Sequence, residues 1–311
     1  MEILNNNDFK EKYDAHIKNN VFPKVIPFEK EREIRLAWVA GTLITCSLLI
    51  IISIILLPAD NEFVKWLFAI NVVIILSVKP LTKKAFEDKV KKIIMPTIME
   101  HFPGFFWQKE PSIKSEEIRK CNIIPTEGME HSFDDSFIGK YKDINITISE
   151  CKYYVQVKGH DIDFFRGVIV KLDMNKRFSG NTVIRPRNVL RINSEVDLQF
   201  QNMSKVNLED PSFNEKFFVY STDQIEARYL ITPTFMERLN ATGEAFDTVF
   251  ECCSFYENSI YIGLDIGKDM FDLCDLDTPM DNKEQYDIIY KEFEAILALV
   301  DHFKLDQKLG L

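Results

Sequence analysis

Two long apolar runs near the N-terminus dominate the pattern of hydrophobic and polar positions. The first covers residues 36–57 without a charge, and the second covers residues 63–81 with Lys65 and Lys79 near its ends. A helix needs about 20 apolar residues to cross a bilayer core of about 30 Å. Because only a short polar turn separates the runs, the sequence predicts a transmembrane helical hairpin over residues 36–81.

Basic residues flank both runs and predict the orientation of the hairpin. Short loops rich in lysine and arginine remain in the cytoplasm. Residues 24–35 contain four such residues. Six lysines at the end of the second run or beyond it are predicted to meet lipid headgroups: Lys79, Lys83, Lys84, Lys89, Lys91 and Lys92. We therefore expect a multi-pass membrane protein with both termini in the cytoplasm and residues 58–62 outside.

Five side chains within the runs are predicted to help anchor the hairpin: Trp38, Gly41, Thr45, Trp66 and Asn71. Tryptophan favours the membrane interface. Ala37, Gly41 and Thr45 repeat every four residues, and small residues at this spacing let helix backbones approach closely. Asn71 lies deep in the second run, and we expect it to hydrogen-bond to the other helix rather than to line an ion path.

Periodicity and prolines predict the helices around the hairpin. An amphipathic helix over residues 7–20, capped by Asp8, is expected to break at the prolines of residues 22–27. A basic amphipathic helix follows Pro80, and Pro96 is expected to kink or end it.

Capping residues predict three further helices. Ser115 is expected to cap a short helix, and Thr232 to cap another that ends at Gly243. Asp281 is expected to cap a long C-terminal amphipathic helix.

From about residue 133, the hydrophobic pattern changes from helical to alternating, which is typical of strands. Ile144, Ile146 and Ile148 alternate with polar residues, as in a half-buried strand. Further strands are predicted at residues 164–172, 182–185 and 217–220, with a hairpin over 251–265 that turns at Glu257 and Asn258. Strands with helices inserted between and after them predict an α+β domain with a mainly antiparallel sheet.

The chain is therefore divided into four segments. Residues 1–35 are an N-terminal cytoplasmic helix and lead-in, and residues 36–81 are the transmembrane hairpin. Residues 82–110 are a basic juxtamembrane helix and linker, and residues 111–311 are a cytoplasmic α+β domain with a long C-terminal helix.

Composition and charge narrow the classes of function. Of the 311 residues 46% are apolar, and the net charge is −10. Residues 79–92 carry a net charge of +4, which leaves −14 for the rest of the chain. Such an acidic chain is not expected to bind nucleic acid. The six cysteines lack CxxC or metal-site spacing, so we expect reduced, buried thiols.

Motifs for chemistry are incomplete. Gly263 and Gly267 are too close for a phosphate-binding loop. The acidic residues that follow them lack the order of a calcium loop, and the five histidines lack metal-site spacing. His160 next to Asp161 has no nucleophile motif nearby, and a surface turn is the better interpretation. We predict no catalytic residue, cofactor site or metal site, and thus a protein that is not an enzyme.

One basic cluster interrupts the acidic domain and is a candidate surface for an acidic partner or lipid headgroups. The alternative is the ordinary charge of a strand edge. Its members are Lys176, Arg177, Arg185 and Arg187.

Three blocks of sequence share a more specific pattern. Residues 164–186 read FFRGVIVKLDMNKRFSGNTVIRP, and two further blocks cover residues 218–239 and 253–272. Together with the hairpin, these blocks resemble the bacterial membrane family of the domain of unknown function 3137. The matching positions include Phe165, Gly167, Asn175, Lys176, Phe178, Asp223, Glu226, Arg228, Tyr229 and Pro233.

The resemblance implies a location in the bacterial cytoplasmic (inner) membrane. It implies no established activity and no catalytic residues. Members often accompany LemA-type proteins, which makes a helical membrane protein of that type the expected partner. We expect structural roles for the matching residues: a bulge at Gly167, positive φ at Gly180, a left-handed turn at Asn175 and a helix start at Pro233.

The predicted function is a membrane-anchored, non-enzymatic interaction or scaffold module. It would present the acidic α+β domain at the cytoplasmic face within a larger assembly of lipids, a protein partner or further copies of the chain. Two alternatives remain open: a hydrolase at the membrane surface whose site forms only in the fold, and a subunit of an oligomeric channel or lipid-handling complex.

Overall fold

A computed structural model describes residues 7–56, 62–187, 202–246 and 250–303. Residues 58–61 of the predicted external turn therefore lie outside the described residues. Chain contacts define two compact units: a helical unit of residues 7–101 and 272–288, and a sheet unit of residues 102–271 with the helix from Ile289 onward. The division into four segments stays a prediction.

The helical unit contains long helices that run through their prolines. α1 (Asn7–His16) continues through a π-helical turn (Ile17–Val21) into α2 (Phe22–Leu56), and α3 spans Glu62–Met99. The predicted break at residues 22–27 and the predicted new helix after Pro80 are therefore wrong. Proline removes one backbone hydrogen bond but has a helical φ, so a long helix can continue through it.

Apolar side chains cover the outside of α2 and α3. Trp38, Ile55 and Leu76 are each more than 70% exposed. Both helices are long and apolar enough to cross a membrane. Contiguous apolar surface of this extent is rare on soluble monomers, and lipid would cover it.

The sheet unit is built on a nine-stranded antiparallel sheet. Its strands follow the spatial order β1-β2-β3-β4-β9-β8-β5-β7-β6. Their bounds are β1 Phe106–Gln108, β2 Glu130–Tyr141, β3 Ile144–Val157, β4 His160–Asp173, β5 Thr182–Pro186, β6 Ser204–Lys205, β7 Phe217–Ser221, β8 Phe250–Tyr256 and β9 Ser259–Asp265. The α+β fold, the mainly antiparallel sheet and the hairpin turning at Glu257 and Asn258 are confirmed.

The described residues contain five more helices: α4 Ser115–Cys121, α5 Pro211–Lys216, α6 Gln224–Leu230, α7 Pro233–Phe246 and α8 Lys283–Phe303. α4 belongs to a core that includes Ile118, Phe165 and Tyr261. Phe293 of α8 packs on Phe137 of β2, with ring centroids 5.6 Å apart. The sheet unit thus contains two apolar layers, which explains why several strands are buried along their length.

The capping predictions were right in part. The Thr232 hydroxyl accepts a hydrogen bond from the Phe235 N–H at 3.2 Å, as predicted. Ser115 does not cap α4, whose N-cap residue is Lys114. α7 continues past Gly243. Asn282, rather than Asp281, accepts from the Glu284 N–H at the start of α8, since its side chain is an equally good acceptor.

Gly167 allows β4 to approach β9 closely. It pairs with Asp265 in regular register, without positive φ, and the irregularity between β3 and β4 lies at Tyr153 and Tyr154 instead. The predicted bulge at Gly167 is therefore wrong. A Cβ at this position would lie 2.1 Å from the Leu264 carbonyl oxygen, so two strands would have to separate to admit any side chain.

We expect Gly167→Ala to lower the free energy of unfolding by about 3 kcal/mol, because overpacking forces the backbone to shift. Thermal unfolding of the full chain in detergent, followed by fluorescence, measures this loss. Gly41→Ala is the matched control, since a Cβ there meets nothing within 4 Å. Equal melting temperatures for the two variants would contradict the role of Gly167.

Candidate functional site at the membrane-proximal helices

An acidic part of the chain, residues 272–288, lies against the basic helices of the helical unit, and we call it the acidic segment. Lys83 Nζ is 2.9 Å from Asp272, and Lys79 Nζ is 2.5 Å from Asp277. Burial, the largest single effect, lowers the pKa of Lys83. The hydrogen bond to Asp272 and the charges of neighbouring carboxylates together outweigh burial, so the pKa is raised. Two of the lysines predicted to meet lipid headgroups therefore pair with protein carboxylates.

Arg32 and Glu29 of α2 hold the acidic segment by its backbone. The Arg32 guanidinium is buried, donates to the Leu276 carbonyl at 2.5 Å and pairs with Glu29 at 2.6 Å. Glu29 in turn accepts from the Met280 N–H at 2.8 Å. The hydrogen bond from Arg32 is the main cause that lowers the pKa of Glu29. Both side chains thus remain charged at neutral pH, and both contact the acidic segment.

Of the other lysines predicted to meet lipid headgroups, two form ion pairs within the protein and two are exposed. Lys91 is buried and pairs with Glu87 at 2.7 Å, so its assignment to headgroups is wrong. Lys89 pairs with Glu31 at 2.5 Å. Lys84 and Lys92 are exposed, so their side chains are accessible to lipid headgroups.

α1 also packs on the acidic segment. The buried Tyr13 hydroxyl donates to the Tyr286 carbonyl at 2.8 Å, and Lys10 pairs with Asp287. The ring centroid of Tyr13 lies 5.3 Å from that of His101. Burial, followed by repulsion from His16, lowers the pKa of His101 to about 4. α1 therefore joins α2, α3 and the acidic segment in one layer of ion pairs and hydrogen bonds, which we call the charged layer.

The predicted anchors of the hairpin have different surroundings. Trp38 and Trp66 are exposed, as expected for residues at a membrane interface. Asn71 is buried, but it donates to the Leu67 carbonyl of its own helix at 2.8 Å, so the predicted bond between helices is wrong. Gly41 and Thr45 are exposed, so the small residues are not covered by the partner helix of the hairpin.

The basic cluster on the sheet unit is not one surface. Arg185 is 4% exposed and donates to the Asn122 carbonyl at 2.7 Å, so it does not belong to a partner surface. It lies on β5 between two other strands, and burial lowers its pKa to about 10. Lys176, Arg177 and Arg187 are exposed, and Arg187 stacks 4.1 Å from the Phe218 ring centroid.

The family-motif carboxylates hold a loop in place. The two Glu226 oxygens accept from the Ser179 and Gly180 N–H groups at 2.8 and 2.7 Å. Asp223 caps α6 by accepting from the Ile225 and Glu226 N–H groups, each at 3.0 Å. These contacts give both acids a structural role.

The other family-motif residues are also buried or make contacts within the fold. Phe165 and Phe178 are buried. Arg228 donates to the Gln224 carbonyl at 3.0 Å, and Lys176 lies over the half-exposed Tyr229 ring. Pro233 begins α7, as predicted.

Two predicted backbone conformations are wrong. Asn175 and Gly180 are not among the described residues with positive φ. A Cβ at Gly180 would lie 2.8 Å from the Thr222 hydroxyl. Close approach, not a left-handed turn, is therefore what requires glycine there.

A polar cleft of about 280 Å³ lies on the sheet unit. The Glu117 carboxylate accepts from the Tyr261 hydroxyl and from Lys171, both at 2.7 Å. Burial, followed by the hydrogen bond to Glu117, raises the pKa of Tyr261 well above its usual value. In this cleft, the charges of Glu117 and Lys171 thus neutralise each other.

Thiol and metal chemistry have little support among the described residues. All six cysteines are buried, and burial raises the pKa of Cys121 to about 12. The thiolate is the reactive form, so such a thiol is inert. In the described part of the chain, no group of three or more His, Cys, Asp or Glu side chains is placed to hold a metal ion.

Residues 163–305 match the model of the family described as "Protein of unknown function (DUF3137)", which supports the predicted resemblance over that part of the chain. No curated protein matches the chain. Among solved structures, the chain is similar to the crystal structure of the mycobacterial trehalose monomycolate transport factor A, TtfA, with a TM-score of 0.33 and 10% sequence identity. The similarity covers 64% of this chain and 88% of that chain, and at this level it carries no argument about function.

We expect Arg32→Leu to destabilise the helical unit by about 2 kcal/mol, because it removes a buried, fully paired guanidinium and leaves the half-buried Glu29 without its cation. Hydrogen exchange should become faster at residues 276–280, which Arg32 and Glu29 hold by their backbone. Arg35→Leu is the matched control, since Arg35 pairs with Glu31 at 2.8 Å. Unchanged exchange in the Arg32 variant would contradict this role.

We expect the stability of the chain to fall as the pH drops from about 6.5 to 4. His101 has a pKa of about 4 when folded and about 6.5 when unfolded, so the unfolded state binds the extra proton. The loss is about 3 kcal/mol. His101→Gln should flatten the pH profile of thermal unfolding, whereas His160→Gln, at an exposed position, should not. Identical profiles for the two variants would refute the role of His101.

Proposed function

We propose that this chain, whose residues 163–305 match the model of the DUF3137 family, is a membrane-anchored, non-enzymatic interaction module. In this proposal it presents an acidic α+β domain at the cytoplasmic face of a bacterial inner membrane, with both termini inside. The observation that carries the proposal is the combination of an exposed apolar hairpin with a charged layer at its base.

The apolar surface of the hairpin supports the membrane anchor. Trp38 and Trp66 are 73% and 69% exposed, and Ile54 and Leu76 are exposed to a similar extent. Apolar surface left in water costs about 25 cal/mol per Å², so a lipid environment stabilises this arrangement.

The charged layer supports the orientation. Lys79 and Lys83 lie where the apolar run of α3 ends, and their carboxylate partners come from the acidic segment. Arg32, which precedes the apolar run of α2, contacts the same segment. Basic flanks of both helices and the acidic segment therefore lie at one end of the hairpin, which is the end expected in the cytoplasm.

The surroundings of the polar side chains support a non-enzymatic role. Glu226 and Asp223 hold backbone groups, and Glu117 is neutralised by Lys171 and by a tyrosine hydroxyl. A catalytic base or nucleophile needs a free lone pair aimed at a substrate. Membrane lipids and a helical membrane protein or further copies of the chain are the partners that we propose.

A cysteine placed at Lys92, which is exposed near the end of α3, should react with a membrane-impermeant maleimide only after the membrane is opened. One placed at Ala59, between the apolar runs, should react in intact cells. The native cysteines are buried and give a low background. Labelling of Lys92→Cys in intact cells would refute the orientation.

Crosslinked purification from native membranes tests the interaction module itself. We expect the wild-type chain to retain a specific protein or a second copy in mild detergent. A strictly monomeric chain without any protein partner would refute the module while leaving the membrane anchor intact.

A further inference from the structure

We propose that one face of α2 binds a transmembrane helix of another membrane protein, and that this helix has a basic cytoplasmic flank. The inference rests on the proposed function and names the class of partner. Two cavities on the helical unit point to it. One, of about 590 Å³, lies within the apolar run and includes Ala37 and Gly41 in its lining, and the other, of about 440 Å³, lies beyond the run and includes Ile26 and Glu33.

The two cavities follow the same surface rows of α2. Side chains four residues apart form ridges on a helix. Ile26, Ile34 and Trp38 belong to a row of large residues, and Glu33, Ala37 and Gly41 belong to the adjacent row, which becomes small within the membrane. The channel between these rows, from residue 26 to residue 45, is called the α2 groove.

The shape of the α2 groove fits a helix. It spans about 20 residues and is therefore about 30 Å long. Ala37 and Gly41 are exposed, and a Cβ at Gly41 would meet nothing within 4 Å. Small residues at these positions let the backbone of a second helix approach closely.

The length of the α2 groove argues against lipid as its only occupant. Ile26 is 68% exposed and lies ten residues before the apolar run, which is about 15 Å along the helix. Acyl chains do not reach that far beyond the bilayer core. A helix that continues from the membrane into the cytoplasm covers both the membrane part and Ile26.

Charge at the cytoplasmic end selects the partner. The lining there contains three acids, Glu29, Glu33 and Asp281, and one lysine, Lys30. Glu29 already pairs with Arg32, whereas Glu33 and Asp281 are exposed. Membrane helices carry lysine and arginine on their cytoplasmic flanks, and these complement the acidic rim.

A second copy of the chain fits this rim poorly. Two α2 helices related by a two-fold axis along the membrane normal would bring Glu33 of each copy together, and like charges oppose association. The basic end of α3 offers Lys79 and Lys83, but both already pair with the acidic segment.

The test uses the full chain in phosphatidylcholine vesicles with two synthetic probes. Each probe is a single-span leucine–alanine helix, flanked at its cytoplasmic end by three lysines in one case and three glutamates in the other. Energy transfer from the labelled chain to the probe measures binding. We expect the lysine-flanked probe to bind about tenfold more tightly, and Glu33→Lys to reverse this order.

A larger side chain in the α2 groove should weaken the binding of both probes. We expect Ala37→Leu to reduce binding about tenfold. Ala69→Leu is the matched control, because Ala69 is exposed on α3 and does not line the groove. Glu11→Lys, at an exposed position of α1, controls for the charge reversal. Neither control should change binding.

Three results would overturn the proposal. One is equal transfer to both probes that Ala37→Leu leaves unchanged, as expected if lipid alone fills the groove. Another is transfer between donor- and acceptor-labelled copies of the chain that Ala37→Leu abolishes, which makes a second copy the occupant. The third is recovery of the same crosslinked partner by Ala37→Leu and wild type, which refutes the groove and leaves the interaction module standing.

Discussion

The buried guanidinium of Arg32 is the interaction on which the helical unit depends. It joins residues 244 positions apart in sequence, and it lies in the charged part of α2 that precedes the apolar run. A buried charge is costly unless it is fully paired. Glu29 provides the counter-charge and the Leu276 carbonyl an acceptor, and Glu29 itself accepts from the Met280 backbone. The buried guanidinium thus has its full set of partners only when the acidic segment is in place.

Local pattern predicted most of the elements. The apolar runs, the alternation from Ile144 onward and the turn at Glu257 are short-range signals, and the corresponding helices and strands are found. Prolines misled the prediction, because Pro27 and Pro80 lie inside helices that continue past them. Tertiary packing decides whether such a helix continues, and no window of sequence contains that information.

The candidate site was predictable only in part. The lysines after Pro80 and the aspartates after Asp265 stand out in the sequence, but almost 200 residues separate the two runs. Their opposite charges were a signal for the contact between Lys83 and Asp272, but partner choice requires the fold. The burial of Arg185 had no such signal, since its neighbours Lys176 and Arg187 are exposed.

The distance along the chain between the lysines and their carboxylates has a consequence for biosynthesis. The ribosome completes the hairpin and its basic flanks about 180 residues before it makes Asp272. If the hairpin inserts in the proposed orientation, Lys79 and Lys83 are therefore unneutralised at that stage and act at full strength as topology signals. Once the acidic segment emerges and docks, the same charges become internal ion pairs. In the proposed orientation, the two lysines thus act first as topology signals and later as ion pairs that hold the acidic segment.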